Sequence, residues 1–200
     1  MGTVMAQAIM SLDGYVAKQD NTIGRLFDWL QNGEVEVRSP ADDMTVRLTP
    51  ASAEHWRAWV STVGALICGR VLFDVADGWN GQHNFDVPVV VVTHRVPTDW
   101  IDAHPDAPFM FVTDGVEAAV ARAQERAGDR VVVVSGGTIA RQCLDLGLLD
   151  EVAVDLVPVV MGAGNRPFFG ELSSEDVMLG NPTECIQGDR VLHLRYPVLK

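Results

Sequence analysis

The chain is 200 residues long, 48% hydrophobic and 21% charged, with a formal net charge of -12 at pH 7. That length is about one large domain, so residues 1–200 are expected to fold as a single domain around one substantial core. The acidic balance argues against nucleic acid or an anionic membrane as partner, since a chain without a basic stripe has nothing to meet either.

No apolar run approaches the roughly 20 residues of a membrane span, and the parts of a signal peptide are missing, so a cytoplasmic protein is expected. Cys68, Cys143 and Cys185 are odd in number and lie in apolar surroundings, which predicts reduced, buried thiols.

Thr3 to Met10 reads as a first strand, running into Ser11-Leu12-Asp13-Gly14-Tyr15-Val16-Ala17. Asp13-Gly14 is a turn signal, with Asp13 expected to fix the turn. Lys18 to Leu48 shows no clean period and reads as a long, irregular, acidic segment (Glu34, Glu36, Asp42, Asp43), with Asp28-Trp29-Leu30 set inside it. Segments of that kind in compact domains are functional lids or mobile loops. Thr49-Pro50 is a helix start, and Trp56, Val60 and Val63 mark the apolar face of the helix that follows.

Ala65 to Cys68 is a short buried strand ending in Gly69-Arg70, and Val71 to Ala76 a helix stopping at Gly78. Trp79 to Val87 is a loop. Pro88 to Val92 is the next strand, and Thr93-His94-Arg95 places a second arginine at a strand's carboxyl end. Pro97 to Pro108 reads as loop and Phe109 to Val112 as strand. Asp114 with Glu117 resembles a capping box. Val116, Ala119, Val120, Ala123 and Ala127 trace one helix face, closed by Gly128.

Val131 to Val134 is an unbroken β-branched run, the pattern of a strand buried on both faces. Ser135-Gly136-Gly137 follows at once, and Ile139, Cys143 and Leu146 give helical spacing from Thr138. A strand that breaks at paired glycines into a helix offers backbone N–H groups and a positive helix end, which suits a phosphate or pyrophosphate. The same residues also suit a plain strand–helix turn. Val152 to Val157 is a further strand, ending at Pro158. Met161 to Pro167 is loop, and Glu184 to Gly188 with Arg190 to Tyr196 form a hairpin about Gly188-Asp189.

Strands alternating with helices predict a three-layer α/β domain, and the terminal hairpin makes the mostly parallel sheet mixed. Gly162-Ala163-Gly164 is no dinucleotide fingerprint, because Pro167 takes the third glycine position. His55, His83, His94, His104 and His193 lack metal spacing, so no metal site is expected. Walker A, zinc-deaminase and nucleophile-elbow sequences are all missing.

With these pieces placed, the chain resembles the dihydrofolate-reductase-like superfamily. It is most similar to the C-terminal reductase domain of the bifunctional riboflavin-biosynthesis deaminase/reductases and their stand-alone relatives. The matching motifs are residues 11–17, Cys68-Gly69-Arg70, Ser135-Gly136-Gly137, and Leu149-Asp150-Glu151 leading to Pro158-Val159-Val160-Met161-Gly162.

The resemblance implies an NADPH-dependent oxidoreductase of the dihydrofolate reductase or 5-amino-6-(5-phosphoribosylamino)uracil reductase kind. Such an enzyme reduces a heteroaromatic, imine or carbonyl substrate, pterin-like or ribosylaminopyrimidine-like. Ser135, Gly136, Gly137, Thr138 and Ile139 would hold the pyrophosphate, across a Gly136–Gly137 bond that is often cis in the superfamily. Gly69, Arg70, Thr93, His94 and Arg95 would surround the adenosine 2′-phosphate, and Ala8 and Ile9 would touch the nicotinamide. Asp28 is the candidate catalytic acid. Stand-alone relatives commonly pair, which implies a homodimer. The competing reading is a non-catalytic nucleotide-binding homodimer that retains the cofactor cleft.

Overall fold

The computed structural model describes residues 2–41, 44–173 and 176–200; Asp42 and Asp43, counted in the acidic segment above, lie outside them. The strands are β1 (Val4–Ser11), β2 (Tyr15–Ala17), β3 (Val35–Arg38), β4 (Thr45–Leu48), β5 (Val63–Gly69), β6 (Val89–Val92), β7 (Phe109–Val112), β8 (Val131–Ser135), β9 (Glu151–Val157), β10 (Arg166–Pro167), β11 (Glu184–Gly188) and β12 (Val191–Pro197). The helices are α1 (Pro50–Thr62), α2 (Arg70–Val75), α3 (Thr98–Ala103), α4 (Val116–Ala127) and α5 (Thr138–Asp145), with 3-10 segments at Asp28–Gln31 and Asp77–Gly81.

Eight strands form the central sheet in the order β11-β12-β9-β1-β8-β5-β6-β7. From β9 to β7 every pairing is parallel. The β11–β12 hairpin adds an antiparallel edge to β9. The result is a mixed, mostly parallel sheet in a three-layer α/β fold.

Alternation along the strands explains the layers. Val4, Ala6, Ala65, Ile67, Val132 and Val134 bury against Val116, Ala119, Val120 and Ala123 of α4 and Ile139, Ala140 and Cys143 of α5. The intervening residues Met5, Leu66, Cys68, Val89, Val91 and Val133 bury on the other face with Trp59 of α1 and Phe73 of α2. A third cluster joins Leu26, Trp29, Leu30, Val37, Val46 and Leu48 with Ala53 of α1.

Several expectations change. Residues 18–48 are not irregular throughout: β3 and β4 pair as a hairpin, with Val37 opposite Val46. Their strict alternation is short, and the buried Trp29 and Leu30 supply the face they cover. The segment 97–108 contains α3, whose Trp100 stacks on His104 and packs edge-on against Phe73. The core face of α1 runs through Ala53 and Trp59, with Val63 already in β5. Asp114 does not cap α4. The N-cap is Gly115, and the Asp114 carboxylate takes a hydrogen bond from Arg122 at 3.2 Å. Leu146 lies beyond α5 and is exposed. Cys185 is exposed because β11 is the sheet's edge strand, whereas Cys68 and Cys143 are buried. Among the described residues no helix is long and apolar enough to cross a membrane.

Candidate functional site

The parallel strands β1, β8, β5 and β6 end side by side, and their carboxyl ends open into one cleft of about 1460 Å³. Ordinary small-ligand pockets run to about 300–1,000 Å³, so this one has room for a dinucleotide and a second small molecule together. Ala8, Ile9, Gly69, Arg70, Thr93, His94, Arg95, Ser135, Gly136, Gly137, Thr138 and Ile139 all line it. The structure therefore brings the twelve residues expected around a cofactor to one cavity.

The glycine corner between β8 and α5 divides two tasks. A Cβ on Gly136 would stand 2.7 Å from Phe168 Cδ2 and 3.1 Å from the Ala8 Cβ, so this glycine lets a loop pack against the sheet. Gly137 has φ +101° and ψ -152°, a backbone region that only glycine enters freely. Nothing lies within 4 Å of the Cβ it lacks, so a ligand can approach the main chain there. The Gly137 N–H is spent on Phe168 O at 2.6 Å. The donors left for an anion are those of the first turn of α5, at Thr138 and Ile139, which have no intrahelical acceptor. The Gly136–Gly137 peptide is trans, unlike the expectation, with the turn made through the positive φ of Gly137.

The two arginines play unequal parts. Arg70 Nε donates to Asp74 at 2.7 Å and its NH1 to Arg95 O at 2.9 Å, which ties the β5–α2 junction to the loop after β6. Thr93 Oγ also donates to Arg95 O at 2.9 Å and takes the Arg95 N–H at 3.3 Å, closing that loop into a turn. Among the described residues the Arg95 guanidinium has no ion pair or hydrogen bond of its own. An exposed, unpaired cation beside a helix end is the natural place for a phosphate.

The other end of the cleft is aromatic, lined by Phe27, Leu30, Trp56, Trp59 and Phe85, with Gln7 and Asp155 also lining it. Trp56, Trp59 and Phe85 meet edge to face at 5.1–6.2 Å. Asp28 takes no part. Its side chain is 45% exposed and bonded to Arg25 Nε at 2.8 Å, outside the lining residues. The neighbouring apolar residues Phe27 and Leu30 reach the cleft instead, because Trp29 and Leu30 turn inward to cover the β3–β4 hairpin.

Sequence reasoning missed Asp155 and His193. Asp155 Oδ1 lies 2.6 Å from His193 Nδ1, and its Oδ2 accepts from Gln7 Nε2 at 3.1 Å. Ser52 Oγ meets His193 Nε2 at 2.9 Å, and the rings of His55 and His193 stack at 4.4 Å. Burial, and after it the neighbouring His193, hold His55 below the usual imidazole range. The signal was an acid interrupting the apolar run 152–157 and a histidine at an inward position of β12.

His55, Asp155 and His193 each have a ligand-type atom within 4.8 Å of the others. Two of those atoms are in direct hydrogen-bond contact at 2.6 Å, shorter than the roughly 3.3 Å between ligands of a tetrahedral ion. The arrangement is that of a hydrogen-bonded network.

Asp13 fixes the loop junction as expected. Its carboxylate accepts from Ser11 Oγ at 2.6 Å and from the N–H groups of Met161 and Gly162 at 3.1 and 2.8 Å. The Ser11 hydroxyl first, and then the two amides, pull its pKa down to about 2.

Comparison with known proteins gives a consistent result. The sequence profile of the RibD C-terminal domain family matches residues 2–189. An uncharacterized protein of Bacillus subtilis, YwjB, is 26% identical over 173 residues, 86% of this chain and 85% of its own length. The structure of a candidate riboflavin biosynthesis protein of Shewanella sp. PV-4 superposes with a TM-score of 0.69 at 22% identity, covering 99% of both chains. Dihydrofolate reductase of Enterococcus faecalis, solved with NADP(H), superposes with a TM-score of 0.56 at 14% identity, covering 100% of this chain and 98% of its own.

Proposed function

This chain belongs to the RibD C-terminal domain family, and from that premise we propose that it is an NADPH-dependent reductase of a small heteroaromatic, imine or carbonyl compound, pterin-like or ribosylaminopyrimidine-like. The observation that carries the reading is the two-ended cleft: a glycine corner, a helix N-terminus and a free arginine at one end, an aromatic slot at the other. That is a dinucleotide-sized anion site running into a dry pocket for a flat ring.

Bound there, a reduced nicotinamide supplies a hydride to an electrophilic carbon. The first turn of α5 would hold its pyrophosphate, where Gly137 leaves the main chain open to approach, and Arg95 would meet the adenosine 2′-phosphate, with Arg70 fixing the loop that presents it. Ala8 and Ile9 form the surface for the nicotinamide, while Trp56, Trp59 and Phe85 orient the substrate ring and exclude water. The test is steady oxidation of NADPH with a panel of pterins and aminopyrimidines. Turnover with a member of the panel supports the reading, and tight NADPH binding without any turnover supports a nucleotide-binding protein instead. The Asp28–Arg25 pair favours that second reading, since it leaves the expected acid outside the cleft.

The same proposal includes a second copy of the chain as partner. Leu12, Val160, Met178 and Leu199 are all more than half exposed, and backbone hydrogen bonds hold Leu12 beside Val159 and Leu199 beside Met178. The two pairs stand at opposite ends of β9, beside Val157 and beside Asp150, and exposed apolar side chains of this kind mark association surfaces. Sedimentation as a dimer is expected, and a monomer would count against it.

A further inference from the structure

Asp155 sits where a carboxylate costs several kcal/mol to desolvate unless it is well partnered. It lies on β9 between β1 and β12, opposite Ile9 in register, with its side chain 13% exposed. Apart from Glu171 it is the one acid among the described residues lining the cleft. Behind it His193 is 1% exposed and fixed on three sides, by Asp155, by Ser52 and by the His55 ring.

The groups facing this pair are few. β1 contributes Gln7, α1 contributes Ser52 and His55, the 3-10 segment contributes the Trp29 ring at 5.3 Å, and the edge hairpin contributes Glu184 and Arg195. Glu184 lies 3.4 Å from Arg195 Nε and 3.7 Å from His55 Nδ1, so those charges answer each other. A cavity of about 10 Å³ touches Asp155, His193, His55 and Gln7, on the order of one water molecule. Two buried donors with no hydrogen-bond partner, Trp29 Nε1 and Trp59 Nε1, belong to side chains that line it.

We infer that Asp155, backed by His193 and Ser52, supplies the proton that reduction requires, to a nitrogen or oxygen of a substrate seated against Gln7 and Ile9. The inference rests on the reductase reading above. Reduction of a C=N or C=O bond adds a hydride from the reduced dinucleotide to carbon and one proton to the heteroatom. The O–H bond of the Asp155 carboxyl breaks as the new N–H or O–H bond forms, and the bond's π electrons end on the heteroatom. Asp155 is left as a carboxylate held by the Nδ1–H of His193, whose Nε2 accepts from Ser52. Gln7 carries both a donor and an acceptor on its amide and serves either form of the acid. Water returns the proton between turnovers.

The first test needs no cofactor. In ligand-free protein carrying carbon-13 on aspartate carboxyls, the resonance lost in Asp155→Asn should change its position in Ser52→Ala, since Ser52 reaches it through His193. Ser52→Ala also serves should Asp155→Asn fail to fold. With dihydrofolate as probe substrate, Asp155→Asn should lower kcat by roughly 10²–10⁴, flatten its pH profile and leave NADPH affinity within twofold. An Asp155 resonance unmoved in Ser52→Ala, or an Asp155→Asn protein with the parent pH profile and retained NADPH binding, overturns this inference alone. Stoichiometric zinc that perturbs His55 and His193 together overturns it in favour of a metal centre. Wild-type protein that binds no NADPH overturns the reductase reading, and this inference with it.

Discussion

Replacing Gly137 with alanine separates what the glycine corner does for the fold from what it does for a ligand. At φ +101° and ψ -152° a residue bearing a side chain carries about 1–3 kcal/mol of strain. No heavy atom lies within 4 Å of the added methyl, so strain is the whole expected stability cost. For a chain of this size each kcal/mol moves Tm by about 2–4 °C, giving a drop of roughly 2–12 °C. The same methyl enters the space proposed for the pyrophosphate, and NADPH affinity should fall at least about tenfold, or 1.4 kcal/mol.

Gly136→Ala is the comparison. Its methyl would meet Phe168 at 2.7 Å, an overpacking cost of about 1–3 kcal/mol that Phe168→Leu should relieve. Thermal unfolding and a tryptophan-fluorescence titration on the parent, the two glycine variants and each of these combined with Phe168→Leu read both quantities. Gly137→Ala with unchanged Tm and unchanged NADPH affinity would refute the reasoning, as would its rescue by Phe168→Leu.

Two further outcomes concern the frame around the cleft. Asp13 has its pKa lowered to about 2 by Ser11 and the amides of Gly162 and Met161, so it stabilises the fold above about pH 4 and loses that contribution as pH falls toward 2. Asp13→Asn should therefore flatten the stability-against-pH curve across that window, and a curve with the parent slope would show that the junction contributes nothing. Burial pushes the Cys68 and Cys143 thiols up to about 12, so native protein should show one readily titrated thiol, Cys185, and three after denaturation; fast reaction of all three in the native state would contradict the packing.

The parallel core was legible because its strands carry their own punctuation. The runs 65–68, 89–92 and 131–134 are β-branched or apolar and break at Gly69, Thr93 and Ser135-Gly136, and each emerges as a strand ending at the cleft. Helix α4 was legible from its face, all five residues of which are buried. The β3–β4 hairpin was not, because four-residue strands give too short an alternation, and the surface they cover comes from Trp29 and Leu30 further back in the chain. Asp28 drew notice as an acid in the right region, yet only side-chain direction separates it from the inward Leu30. Asp155 and His193 are 38 residues apart and become partners through the antiparallel pairing of β12 with β9. Nothing local to either residue encodes that pairing.

The most direct measurement is the affinity of the purified protein for NADPH and NADH, read by quenching of its tryptophan fluorescence, with Arg95→Ala alongside. Micromolar NADPH binding is expected, with a clear preference over NADH. Loss of one charge-assisted contact of about 1.5–3 kcal/mol should erase roughly a 10–150-fold preference in the variant. Equal affinity for both nucleotides, or equal losses for both in Arg95→Ala, would remove the 2′-phosphate from this site, and no binding of either would contradict the central claim.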